Sequence, residues 1–383
     1  MNKTPLTLAF GGLLAMAAAI GIGRFVYTPI LPPMMEALHF SKAGAGLIAS
    51  ANFVGYFLGA LLAALRLPGS RRAWLLAALA VNAITLAAMG ATTAMPLFLL
   101  LRLIAGIASA FGLIFSSALV LDRLARAGRS GLSAIHFAGV GSGIAASAAL
   151  VAVLVQAGAG WSGLWLASAA LAAIASLAAA WMVPAESRPI TAMAAAPRGR
   201  VSADFISLTI AYGLFGFGYI ITATFIVDMV RGTSALRPLE PYIWVLFGLS
   251  AAPSVALWGA LARRWGVLTT FAVASIVEAI GVAASALWLT SASVILGALL
   301  VGGTFMGLTA LGLIAARETA GGDPRSRIAL MTASFSLGQI LGPAFAGFVY
   351  DATGSLMTPS LAAAAALIVA AMLSVLANRQ RRH

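Results

Sequence analysis

Residues 184–201, PAESRPITAMAAAPRGRV, are the only long stretch of this chain with the composition of a linker. Long apolar runs lie on both sides of it. Only 9% of the 383 residues are charged and 62% are hydrophobic, with a mean hydropathy of +1.03. A water-facing surface takes roughly 25% charged residues, so most of this exterior must face lipid. Crossing a hydrocarbon layer of about 30 Å takes about 20 apolar residues as helix, and lipid tolerates no unpaired backbone. Before the linker the runs are 6–30, 43–65, 73–92, 95–119, 131–156 and 162–183; after it they are 204–230, 241–262, 267–289, 292–315, 328–350 and 357–377. The chain therefore reads as an all-α membrane protein of twelve transmembrane helices.

Lys and Arg set the orientation, because short cytoplasmic loops collect them. With the N-terminus inside, only Lys42, Arg231 and Arg237 fall on the outer side, and Arg24 and Arg102 fall within spans. The remaining basic residues, from Lys3 through Arg71, Arg72 and Arg123 to Arg379 and Arg382, share the side of the termini. Both termini are then cytoplasmic in a bacterial inner membrane. A cleavable leader ending at Ala15-Met16-Ala17 is the rival reading; it leaves eleven spans and reverses every later loop. The net charge of +13 is spread through loops rather than gathered on one face, so nucleic acid is not expected as a partner. There are no cysteines, and His39, His136 and His383 are far apart, so neither a metal nor a cofactor is expected.

The two sets of six spans echo each other. Gly21-Ile22-Gly23-Arg24 parallels Gly216-Phe217-Gly218-Tyr219, and Gly59-Ala60-Leu61 parallels Gly259-Ala260-Leu261, at a common spacing. Duplication follows, with bundles at 1–183 and 204–383 joined by a cytoplasmic linker at 184–203. Arg102-Leu103-Ile104-Ala105-Gly106 looks like the R-x-x-x-G element of major facilitator transporters, and Gly338-Gln339-Ile340-Leu341-Gly342-Pro343 is similar to their G-x-x-x-G-P element. GALLAALRLPGSRR (59–72) looks like a worn copy of their G-x-L-x-D-R-x-G-R-R loop, with Ala63 where the aspartate would stand. GIGRFVYTPILPPM (21–34), GFGYIITATF (216–225) and GGTFMGLTAL (302–311) resemble the YbfB/YjiJ-like branch. The resemblance implies the major facilitator fold, two pseudo-symmetric six-helix bundles, with substrate between them near mid-membrane and helices 1, 4, 7 and 10 lining the cavity.

An Arg at mid-membrane costs about 2.5–3.5 kcal/mol on insertion scales, so Arg24 and Arg102 are candidates to meet an anionic or carbonyl-rich substrate group; snorkelling or structural pairing is the alternative. Tyr212 and Tyr219, seven apart on one helical face, together with Thr304 and the pair Asn52 and Tyr56, are further substrate-binding candidates, with packing the competing explanation. Coupling to a proton or cation points to the acids that touch spans, which the boundaries limit to Asp204, Asp228 and Glu278. Asp228 is a candidate to pair with Arg24 or Arg102 when an outer gate shuts, with an exposed acid at a helix end as the alternative; for Glu278, in helix 9, the alternative is a structural partner. His136 titrates near neutrality when unperturbed. Gly106, Gly338, Gln339, Gly342 and Pro343 are gating candidates, because small residues let helices approach and rock.

The expected function is alternating-access transport of a small organic solute by a monomer in the bilayer, with an organic anion preferred over a drug-like or lipophilic compound. A non-transporting membrane sensor of the same fold is the alternative. No H-E-x-x-H, paired intramembrane aspartates or G-x-S-x-G supports an intramembrane enzyme.

Overall fold

A computed structural model describes residues 4–65, 67–184, 202–318 and 324–380, with side chains from 327 in the last segment. Among these residues all regular structure is helical. The first-half helices are α1 (Pro5–Leu38), α2 (Lys42–Ala63), α3 (Arg71–Met89), α4 (Met95–Arg126), α5 (Ser133–Gln156) and α6 (Trp161–Met182). The second-half helices are α7 (Ala203–Gly232), α8a (Glu240–Ala251) with α8b (Ser254–Trp265), α9 (Val267–Leu287), α10 (Ser291–Glu318), α11 (Pro324–Thr353) and α12 (Met357–Gln380). Eleven are long and apolar enough to cross a membrane, and the broken pair α8a and α8b makes the twelfth when counted as one span. Pro253 explains that break: it has no N–H to give and its ring clashes with the carbonyl four residues back. Exposed apolar side chains such as Leu177, at 72%, are what a lipid-facing surface requires.

Several boundaries differ from the sequence reading. Helix α1 continues to Leu38 rather than ending at 30, and α4 continues to Arg126 rather than ending at 119. Glu36, Asp122 and Asp351 consequently lie on helices, so acids touching helices are more numerous than the three expected, and the first and fourth helices each carry one. The linker drawn at 184–203 falls, over 185–201, outside the described residues.

The chain forms two compact units. Unit one contains Met1–Phe40, Ala51–Ala192 and Glu240–Ala252, and unit two contains Ser41–Ser50, Met193–Leu239 and Pro253–His383. The halves at 1–183 and 204–383 thus exchange two segments. In unit one, α1 packs on α4, α5 and α6, α3 packs on α4 and α6, and α8a lies on α5. The last contact is close because Gly141 and Gly248 face the opposing backbone. In unit two, α7 packs on α11 and α12, and α9 packs on α10 and α12. The one-residue joint between α8b and α9 is Gly266, with φ +80° and ψ 155°, a region that essentially only glycine enters.

Hydrocarbon supplies no hydrophobic force between helices, so close van der Waals contact must hold them. Gly106 on α4 shows how tightly: a Cβ there would collide with the Asn52 carbonyl and the Tyr56 N–H of α2. At Gly259 a Cβ meets nothing. Gly106→Leu is therefore expected to destabilise by at least the ~1–3 kcal/mol of ordinary overpacking, lowering the melting temperature of the detergent-solubilised protein or preventing its recovery. Gly259→Leu should melt with the parent, and equal melting of the two variants would contradict this packing.

Candidate functional site

The first cluster, in unit one, is built around a fault in α1. Ala17–Ile22 is π-helix, and the chain turns through 23–26 before helix resumes at Tyr27. The ladder steps from Ala18, whose carbonyl takes the Gly23 N–H at 3.0 Å, to Ile20, whose carbonyl takes the Arg24 N–H at 3.1 Å. The Ala19 carbonyl is passed over. It accepts instead from Asn82 Nδ2 at 3.0 Å and Ser109 Oγ at 2.7 Å. One turn later, Arg102 donates from its two terminal nitrogens to the Gly23 and Arg24 carbonyls at 3.3 and 3.1 Å. The Phe25 carbonyl, which Pro29 cannot reach with an N–H, accepts from Trp244 Nε1 at 3.1 Å. Bulges of this kind occur frequently at functional sites.

The fault projects Arg24 sideways. Its guanidinium carbon lies 4.3 Å from the Phe53 ring centre and 4.5 Å from that of Tyr56. Arg24 is buried, so it does not snorkel to a helix end. Arg102 is buried too, its guanidinium 5.0 Å from the Tyr27 ring centre. Asn52 Nδ2 donates to the Arg102 carbonyl at 2.9 Å, tying α2 to α4. The four unit-one candidates Arg24, Arg102, Asn52 and Tyr56 therefore come together. Two of them, Arg102 through its terminal nitrogens and Asn52 through its amide nitrogen, donate to backbone carbonyls. Gly106, one turn along α4, is the contact that lets Asn52 and Tyr56 approach.

His136 lies apart from this cluster, buried, with Nε2 3.1 Å from Ser117 Oγ on α4. Farther along unit one, Arg71 pairs with Asp122 at 3.4 Å, and Arg72 donates to the Val183 and Ala180 carbonyls at the end of α6. The motif aspartate replaced by Ala63 is thus not the partner Arg71 uses; Asp122, from the far end of α4, is.

Unit two holds an aromatic stack. Tyr219 stacks on Phe305 at 5.5 Å and 13° and on Phe215 at 5.3 Å. Phe335 stacks on Phe215 at 5.4 Å and on Tyr212 at 4.9 Å. Gln339 Nε2 donates to the Tyr219 hydroxyl, and the Tyr212 hydroxyl donates to the Thr309 carbonyl at 3.0 Å. Close approach of α7 and α11 makes this possible: a Cβ at Gly338 would meet the Gly213 carbonyl, and one at Gly342 the Ile220 side chain. The carbonyl of Pro343 faces Gly46. Thr304 and Glu278 form a second buried group. Thr304 Oγ1 gives its proton to the Leu300 carbonyl at 2.6 Å. Both Glu278 carboxyl oxygens are buried, with Thr304 as the facing polar side chain.

At another end of unit two, Asp228 pairs with Lys42. Asp351 accepts the N–H groups of Lys42 and Ala43, both at 3.1 Å, while Ser41 Oγ accepts that of Gly44. The first turn of α2 is thereby capped, largely by a carboxylate 309 residues away. The Lys42 ammonium also sits 5.1 Å from the Tyr350 ring centre. Sequence reasoning missed Lys42, Asp351 and Tyr350, since 350 was read as the end of a span. It missed Asn82, Ser109 and Trp244 because nothing local marks a side chain that serves a distant carbonyl.

Comparison with known proteins follows this geometry. No curated protein is similar in sequence. Among solved structures, a mutant of the nucleoside transporter NupG superposes with a TM-score of 0.74 at 17% identity, covering 97% of this chain and 99% of that one. A bacterial homologue of the human lysosomal transporter Spinster, inward-facing and unoccupied, gives 0.72 at 16% identity over 99% and 98%. NupG itself gives 0.70 at 18% over 99% and 100%. These likenesses show the major facilitator fold. A family model described as uncharacterised MFS-type transporter YbfB matches residues 16–375, and the chain, a multi-pass membrane transporter, belongs to that family.

Proposed function

We propose that the protein is a secondary active transporter that moves a small organic solute by alternating access, and that Arg24 receives an anionic or carbonyl-rich group of that solute. The observation that carries this reading is the setting of Arg24. Its guanidinium lies against the rings of Phe53 and Tyr56 at the break in α1, and ring faces attract a cation and orient it. Arg102, spent on two carbonyls, positions that break. The inner-membrane location, cytoplasmic termini and monomeric state belong to the same proposal; the basic residues on the side of the termini support the first two. A drug-like or lipophilic cargo is the second reading, favoured by the stack at Tyr219 and Phe305.

Uptake into proteoliposomes, screened over organic anions, tests the first reading. Arg24→Ala is expected to raise KM for the transported anion about tenfold or more, equivalent to about 1.4 kcal/mol; Arg24→Lys should retain part of the affinity. Arg102→Ala should lower recovery and melting temperature instead. An unaltered KM in Arg24→Ala would remove the anion site.

Two further roles are proposed for the coupling and gating candidates. Glu278 carries the coupling proton: it is a fully buried carboxyl within α9, faced by the Thr304 hydroxyl. Glu278→Gln should then abolish uptake driven by a proton gradient while leaving solute exchange intact; driven uptake at the parental rate would refute the assignment. The ion pair of Lys42 with Asp228 holds the first turns of α2 in unit two. The cysteine-free chain allows a direct check, because Ala45 is fully buried. A thiol at Ala45→Cys is expected to resist a membrane-impermeant maleimide and to react severalfold faster when Asp228→Asn is added. Identical labelling in both backgrounds would show that the pair holds nothing shut.

A further inference from the structure

An open groove of about 590 Å³ runs between α9 and α12 of unit two. Its floor is small, at Ala272 and Ala371, which are buried. Its walls include Ile276, Met372 and Leu376, exposed by 39%, 57% and 45%, so they face hydrocarbon. Every lining side chain is apolar except one, Arg379. From Ala371 to Arg379 the helix rises about 12 Å, most of the roughly 15 Å depth of one leaflet's hydrocarbon.

The polar end lies at headgroup level. Ser374 Oγ donates to the Leu268 carbonyl at 2.8 Å and Asn378 Nδ2 lies 3.3 Å from Thr269 Oγ1, which sets Arg379 beside the first turn of α9. Immediately before that turn, Arg263, Arg264 and Trp265 are all exposed. Exposed Trp and Arg at a helix end are markers of the membrane–water interface. Among the described residues, no carboxylate pairs with Arg379.

From this charge complementarity we infer that the groove seats one anionic phospholipid of the leaflet nearest the C-terminus, an acyl chain lying along Ala272 and Ala371 and the phosphate on Arg379. The hydrocarbon part alone gives no preference over bulk lipid, since tails are as apolar as the groove. Selection therefore comes from the cation at its end. This inference is independent of which solute is carried.

Native mass spectrometry of the full-length protein in mixed micelles tests it, using phosphatidylglycerol and phosphatidylcholine with identical chains. Phosphatidylglycerol should be retained preferentially, and Arg379→Gln, an exposed helix-end change, should cut that preference roughly fivefold. Ala371→Trp, which fills the floor, should reduce retention of phosphatidylglycerol while Arg379 remains. Equal retention of the two lipids by the parent, or an unchanged preference in Arg379→Gln, would overturn the proposal. So would displacement of the bound lipid by millimolar inorganic phosphate, which would make the site one for free phosphate.

Discussion

A backbone carbonyl that leaves its helical ladder inside hydrocarbon has no water to turn to, and a donor must come from elsewhere in the protein. The fault in α1 turns the carbonyls of Ala19, Gly23 and Arg24 toward side-chain donors and leaves that of Phe25 with the Thr28 N–H and room for a second donor, and much of unit one is arranged to meet them. Asn82 of α3, Ser109 and Arg102 of α4 and Trp244 of α8a each deliver a side-chain donor to this one stretch of chain. Those bonds fix where α3, α4 and α8a stand relative to α1. The fault then costs little, and its yield is a cation, Arg24, aimed away from the helix axis.

Three cations in the structure show three solutions to one electrostatic problem. Lys42 is matched by a carboxylate, Asp228. Arg102 is matched by backbone dipoles, the carbonyls of Gly23 and Arg24. Arg24 is met by ring faces. The second makes an arginine a structural clamp, which explains why a residue so deep in a span need not touch cargo. The third sets aromatic faces, which attract a cation, on the guanidinium.

The sequence was legible where the physics is local and repetitive. Runs of about 20 apolar residues mark spans because bilayer thickness does, and each of the twelve runs corresponds to a helix or a broken pair. The run at 73–92 marks α3, which begins slightly earlier, at Arg71, behind Ser70, whose hydroxyl accepts the Ala73 N–H at 3.1 Å. The end of α1 was not legible. The first run was bounded at residue 30, yet Pro29 falls in the first turn of the resumed helix, where a missing N–H is tolerated, and that helix continues to Leu38. Asp351 was invisible as a cap because its N–H partners lie 309 and 308 residues away. Of the candidate site, Arg24 and Arg102 were found because a charge in a span is costly wherever it sits. Their different settings were not, since Phe53 and the Gly23 carbonyl are brought to them only by tertiary packing. Gln339 stood out only as part of a glycine-proline element; its hydrogen bond to Tyr219 depends on how closely α7 and α11 approach.

The carboxylate that finishes α2 belongs to the penultimate helix. During synthesis α2 emerges among the first spans and Asp351 among the last, so for most of elongation the N–H groups of Lys42 and Ala43 have no such acceptor. The N-terminal end of α2 stays unfinished on the ribosome until α11 arrives, and a chain cut short before residue 351 keeps that defect, however well its earlier helices have inserted.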